Sequence, residues 1–219
     1  MDKIIVEPKR PAKSCVIWLH GLGADGNDFC PIIPELNAPD AFAVRFVFPH
    51  ANQIPITING GMVMRGWYDI TSIADISDAA DIPGIQDSID EISTLIDQQI
   101  ALGIPAEKII LAGFSQGGVI AVNAALQYPQ KLAHIIALSA YMPAWDHFKE
   151  KTKPQNKSTP VLQAHGSFDP VVPFFAGQLL KRNLEENGNP VVFYNYPMEH
   201  QVCVEEIQVI GQTIKEALK

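Results

Sequence analysis

A chain of 219 residues with 47% hydrophobic side chains can bury one continuous core, and no linker-like stretch divides it, so a single domain over 1–219 is expected. Its 24 acidic residues against 16 basic ones, a formal charge of -8, leave no basic footprint for a phosphate backbone and argue against a nucleic-acid partner. Three scattered cysteines, Cys15, Cys30 and Cys203, match neither a disulfide framework nor a zinc site; buried, reduced thiols are expected, and no metal.

The first residues, Met1-Asp2-Lys3-Ile4-Ile5-Val6, carry no apolar leader, no early cysteine and no glycine for myristoylation, so a cytoplasmic protein is expected. Short apolar runs rich in branched side chains at 4–6, 15–19, 44–48, 109–112, 135–138, 161–164 and 191–196 predict strands. Helical patterns separate most of them, which predicts an α/β fold with a mostly parallel sheet and helices on both faces. Residues 54–70, with Asn59-Gly60-Gly61 before Met62-Val63-Met64-Arg65-Gly66-Trp67-Tyr68, read as a hairpin with an apolar face and a candidate flap. Ile85, Ile89, Ile92, Ile96 and Ile100 recur at helical spacing opposite Asp87, Asp90, Glu91 and Asp97, a surface helix after the Pro83-Gly84 turn. No charge occurs between Lys108 and Lys131, a span that would cross a bilayer as one helix. Gly113, Ser115, Gln116, Asn123 and Gln127 interrupt it, and a buried strand, turn and helix explain it better. Tyr141-Met142-Pro143-Ala144-Trp145 follows a strand directly, where loops of α/β proteins line sites. Residues 149–157 read as a polar loop. Pro173 opens a helix that Gly188 closes, and 204–218 starts with Glu205-Glu206 and ends with Lys215, as a helix dipole favours.

The chemistry concentrates at 108–118, where a buried strand runs into Gly113-Phe114-Ser115-Gln116-Gly117 and a helix is expected over 119–128. This is the layout of a nucleophile elbow, in which a strained turn exposes a serine and glycines let strand and helix approach. A serine hydroxyl needs an imidazole to take its proton and a carboxylate to orient that imidazole, in the chain order serine, acid, histidine. Asp169, after the strand at 161–164, and His200, after the strand at 191–196, satisfy both order and sheet edge; Glu199 is the rival acid. Backbone N–H groups of Gln116 and of Leu22, in the glycine-rich His20-Gly21-Leu22-Gly23-Ala24 loop, are the candidate oxyanion donors. Met62, Met64, Trp67 and Trp145 are candidates for an acyl groove, against the simpler reading that apolar residues at such spacing are core.

His20-Gly21-Leu22-Gly23-Ala24, Trp67-Tyr68-Asp69, Gly113-Phe114-Ser115-Gln116-Gly117-Gly118, Leu138-Ser139, His165-Gly166 with Asp169, and His200 together resemble the phospholipase/carboxylesterase family of bacterial carboxylesterases and acyl-protein thioesterases. The resemblance covers nearly the whole chain. It implies a compact α/β-hydrolase fold without a large cap, often dimeric, with no metal or organic cofactor. It also implies Ser115 as nucleophile, Asp169 as acid, His200 as base, and Leu22 with Gln116 as oxyanion donors. Glu199 stands where many relatives carry glycine, and the N-terminal cysteine that eukaryotic acyl-protein thioesterases often use for lipidation is missing. The expected function is a serine carboxylesterase acting on esters with apolar acyl chains. Thioesters or lysophospholipids at the same site are the first alternative, and a catalytically silent binding module on this scaffold is the second. The hairpin is expected either to open the groove and touch lipid surfaces, or to be a fixed cover or a dimer contact.

Overall fold

Alternation of side chains along the strands decides the architecture. The computed structural model describes residues 1–37, 42–72 and 80–219. Its strands are β1 (Lys3–Val6), β2 (Ser14–Leu19), β3 (Val44–Pro49), β4 (Gln53–Ile56), β5 (Met62–Arg65), β6 (Ile109–Phe114), β7 (His134–Leu138), β8 (Val161–Gly166) and β9 (Val191–Tyr196). Its helices are α1 (Ile82–Ala101), α2 (Gln116–Gln127), α3 (Trp145–Lys149), α4 (Phe174–Asn187) and α5 (Val204–Ala217). Seven strands form one sheet in the order β1-β3-β2-β6-β7-β8-β9, parallel except for β1 against β3, with β9 outermost.

Successive residues of a buried strand serve opposite layers, so Cys15, Ile17, Leu19, Ile109, Leu111, Ile135 and Ala137 face one core. Val16, Trp18, Ile110, Ala112, Ile136 and Leu138 face the other. The first core is closed by α1 through Ile85, Ile89, Ile92 and Ile96, by α2, and by Leu180 and Leu184 of α4. Ile210 and Ile214 of α5, with Leu36 of the 3₁₀ turn Cys30–Leu36, close the second. Burial on both sides explains why these strands read as unbroken apolar runs. Asp81 caps α1 by accepting the Gly84 N–H at 3.0 Å.

The hairpin is real and separate: β4 and β5 pair antiparallel, outside the main sheet, with Ile56 opposite Met62. Three expectations shift. The helix after Ser115 starts at Gln116, because Gly117 and Gly118 pack inside its first turn. The stretch read as a polar loop holds the end of α3 and a 3₁₀ turn, Pro154–Ser158, in which buried Asn156 donates to the carbonyls of Tyr128 and Gln130. All three cysteines are unpaired, but only Cys15 is buried; Cys30 and Cys203 sit half-exposed at helix starts. The uncharged span after Lys108 is used up by β6 and α2, and no described helix is long and apolar enough to cross a membrane.

Candidate active site

The chain leaves β2 towards β3 on one side and later enters β6 on the other, so the carboxyl ends of β2 and β6 flank the point where strand order reverses. Ser115 lies there. β6 ends at Phe114 and α2 begins at Gln116, so Ser115 alone makes the turn, at φ 54° and ψ −121°. Such backbone costs roughly 1–3 kcal/mol. The glycines are a packing requirement: a Cβ on Gly113 would lie 2.3 Å from the Gly117 oxygen, and one on Gly117 would lie 2.5 Å from the carbonyls of Leu19 and His20. Ser115 N–H donates to Leu138 O at 2.8 Å, tying the turn to β7.

Asp169 and His200 arrive from the neighbouring strand ends. His200 Nδ1 lies 2.6 Å from Asp169 Oδ2, and the imidazole packs on Phe114, the residue before Ser115, with ring centroids 4.7 Å apart. The Asp169 carboxylate is buried, and its Oδ1 accepts the N–H groups of Val171 and Val172 at 2.9 and 2.8 Å. A carboxylate so placed keeps the His200 proton on Nδ1 and leaves Nε2 as the basic atom. The two loops are stitched together where Ser167 N–H donates to Tyr196 O and Phe168 N–H to Met198 O. Gly166 permits this, since a Cβ there would meet the Glu199 oxygen at 2.3 Å. Behind Asp169, fully buried His165 donates from Nε2 to Val172 O at 2.8 Å; burial holds its pKa below the usual histidine range. Glu199, the rival acid, is exposed.

The loop after β2 is equally fixed. Ala51 N–H donates to His20 Nε2 at 3.0 Å, so the His20 proton sits on Nδ1 and goes to Gly21 O at 2.7 Å. Burial keeps this imidazole neutral by lowering its pKa. Trp67 donates its indole N–H to His20 O at 2.8 Å, and Gly23 N–H donates to Arg65 O at 2.8 Å. Gln116 joins this loop to the elbow: its Oε1 accepts Trp67 N–H at 2.9 Å and its Nε2 donates to Tyr68 O at 2.7 Å. The backbone N–H groups of Leu22 and Gln116 meet no acceptor among the described residues, and a Cβ on Gly21 would lie 3.6 Å from the Ser115 Cβ. Two N–H donors beside a strained serine suit an oxyanion.

A cavity of about 230 Å³ opens beside Ser115 and Gln116, walled by Leu22, Ile58, Tyr68, Ile70, Tyr141 and Val172. None of Met62, Met64, Trp67 and Trp145 lines it. Met62, 63% exposed, stands at the outer side of the hairpin, and Met64 lies against Gly23. Trp67 is buried under the site by its bond to His20, and Trp145 packs at the start of α3 beside Lys149. Sequence spacing gives the apolar face of a hairpin but not the direction in which that face points. Tyr68, Ile58 and Ile70 come from the same segment and form the wall instead; Tyr141 comes from the loop singled out after β7. Among the described residues no cluster of side chains could hold a metal ion.

The model of the phospholipase/carboxylesterase family matches residues 1–218. Acyl-protein thioesterase 1 of Neurospora crassa is 41% identical over 211 residues, 93% of this chain and 86% of that protein. Acyl-protein thioesterase 1 of Mycosarcoma maydis is 35% identical, covering 100% of this chain and 98% of its own. The crystal structure of Arabidopsis thaliana SOBER1 superposes with a TM-score of 0.89 at 31% identity, over 95% of this chain and 100% of the other. The expected α/β-hydrolase fold is thereby met by relatives and geometry alike.

Proposed function

The chain belongs to the phospholipase/carboxylesterase family, and from that membership we propose that this carboxylic ester hydrolase is a serine carboxylesterase for esters with apolar acyl chains. The observation that carries the reading is the 2.6 Å His200–Asp169 bond, packed against the strained turn of Ser115 at the mouth of a cavity. Ser115 Oγ attacks the carbonyl while His200 Nε2 takes its proton, and Asp169 stabilises the imidazolium. The tetrahedral oxyanion is met by the N–H groups of Leu22 and Gln116. His200 then protonates the leaving alcohol, and water, activated by the same histidine, releases the acid from the acyl-enzyme.

We read the cavity as the acyl pocket. Its volume of about 230 Å³ and its walls of Leu22, Ile58, Ile70 and Val172 suit an apolar chain. The hairpin loop borders it through Ile58 and Asn59 and serves as a flap, while the base of β5 stays tied to the oxyanion loop at Gly23. A thioester substrate is the second reading, favoured by the thioesterase names of the two fungal relatives. The test is hydrolysis of p-nitrophenyl esters from acetate to laurate, run beside acyl-CoA, with wild type and Ser115→Ala. A clear chain-length optimum, lost together with fluorophosphonate labelling in Ser115→Ala, is expected. Labelling that survives the substitution overturns the nucleophile, and equal rates at every length overturn the pocket.

A further inference from the structure

The Tyr68 and Tyr141 hydroxyls lie 2.7 Å apart in the wall of the cavity. Each phenol owns one proton, so a bond between them uses one and leaves the other. We propose that the Tyr141 hydroxyl donates this second proton to the substrate, and that the preferred acyl group therefore carries an acceptor oxygen along its chain. The proposal rests on the reading of Ser115 as nucleophile and of the cavity as acyl pocket.

The lesser enclosure of Tyr141 and the one proton left over by the pair point to Tyr141 as the donor. Tyr68 is the more enclosed of the two, 3% exposed against 9%. Burial raises the pKa of both phenols, so both keep their protons at neutral pH. Among the described residues neither hydroxyl meets a further acceptor, so whichever phenol donates within the pair, one proton is left over. Asp69, the carboxylate in the lining, is held by the Thr57 N–H at 2.7 Å and the Thr57 hydroxyl at 2.5 Å. The position of Tyr141 is also fixed relative to the chemistry. Ser139, at φ 45°, turns the chain out of β7 with its N–H on Ala164 O, one strand from the bond that ties Ser115 to Leu138.

The lining includes Ile70, Pro143 and Val172, which offer no side-chain acceptor, beside the polar Asn59, Asp69, Thr71 and Ser72. A plain alkyl chain entering here displaces water from the Tyr141 hydroxyl and leaves it unpaired, whereas a chain with an ether, keto or hydroxyl oxygen at the right carbon replaces that bond. Accepting from Tyr68 also strengthens Tyr141 as a donor.

The test walks one ether oxygen along the chain of p-nitrophenyl hexanoate and reads kcat/KM of each oxa-ester relative to hexanoate. Measurements are made in wild type, Tyr141→Phe and Tyr68→Phe. Dividing the wild-type ratio by the variant ratio removes the intrinsic reactivity of each ester. For Tyr141→Phe, a peak of about fivefold or more at one oxygen position is expected, the size of one neutral hydrogen bond. For Tyr68→Phe the same quotient should stay near one at every position, since Tyr141 still donates. No peak, or an equal loss in both variants, overturns the proposal. Failure of wild type to turn over hexanoate above Ser115→Ala would instead remove the esterase reading beneath it.

Discussion

Asp169 shows how much of the chemistry depends on the orientation of single groups. Its Oδ1 is held by two backbone N–H donors and its Oδ2 faces His200. In Asp169→Asn the amide oxygen has to stay on Val171 and Val172, which turns the amide NH₂ towards His200 Nδ1. The histidine proton then moves to Nε2, and the base meets Ser115 as a donor. The turnover number kcat should fall by about 10³–10⁴, as for the equivalent change in a serine protease triad, with little change in KM. Steady-state kinetics beside an unchanged thermal midpoint would check this; a fall in KM-dependent binding alone would contradict it. His20 is the counterpart in the glycine-rich loop, with both of its nitrogens occupied by backbone.

At the level of elements, the site is one network. The first turn of α2, the base of the hairpin and the loop after β2 meet at Gln116, whose backbone N–H is the proposed oxyanion donor and whose side chain holds Trp67 and Tyr68. Gln116→Leu keeps the backbone donor but strands the Trp67 N–H and the Tyr68 carbonyl, at about 1–3 kcal/mol each. Expected results are a lower denaturant midpoint and a kcat that falls at least tenfold, through the loosened Trp67–His20 contact; an unchanged kcat would show that the oxyanion loop holds itself. Much of this level was legible in sequence. Branched apolar runs mark strands because both faces of the sheet are covered, and Gly113 with Gly117 mark a crossing too close for side chains. Helix α3 was not legible, since five residues carry no period, and neither was the lining of the cavity. Trp67 and Tyr68 are adjacent aromatics, and only tertiary hydrogen bonds decide that one braces the loop while the other faces the cavity.

For the whole molecule, buried ionisable groups set a pH window. Glu206, in the first turn of α5, is 1% exposed, and burial pushes its carboxyl up to about 8, with the nearby Cys203 N–H opposing. Between its unfolded pKa near 4.5 and about 8 the folded state holds the extra proton, so stability falls as pH rises through that range. Burial lowers His20 and His165 and takes His134 to about 4, so these add stability as pH rises towards their unfolded value of 6.5 and nothing beyond. Between pH 6.5 and 8.5 the opposing slopes leave Glu206 as the main contributor, the raised thiols and phenols acting at higher pH. Wild type should lose a few kcal/mol between pH 6.5 and 8.5, and Glu206→Gln should be flat there, by urea midpoints; parallel curves would contradict the assignment. A last consequence comes from β9, the outermost strand. Its six residues, Val191–Tyr196, carry no charge and combine branched with aromatic side chains, Val192 and Tyr194 exposed, the composition that templates cross-β aggregation. Pro190 and Pro197 stand at its two ends, and neither can donate to a further ladder, so they act as gatekeepers that confine the adhesive edge to six residues.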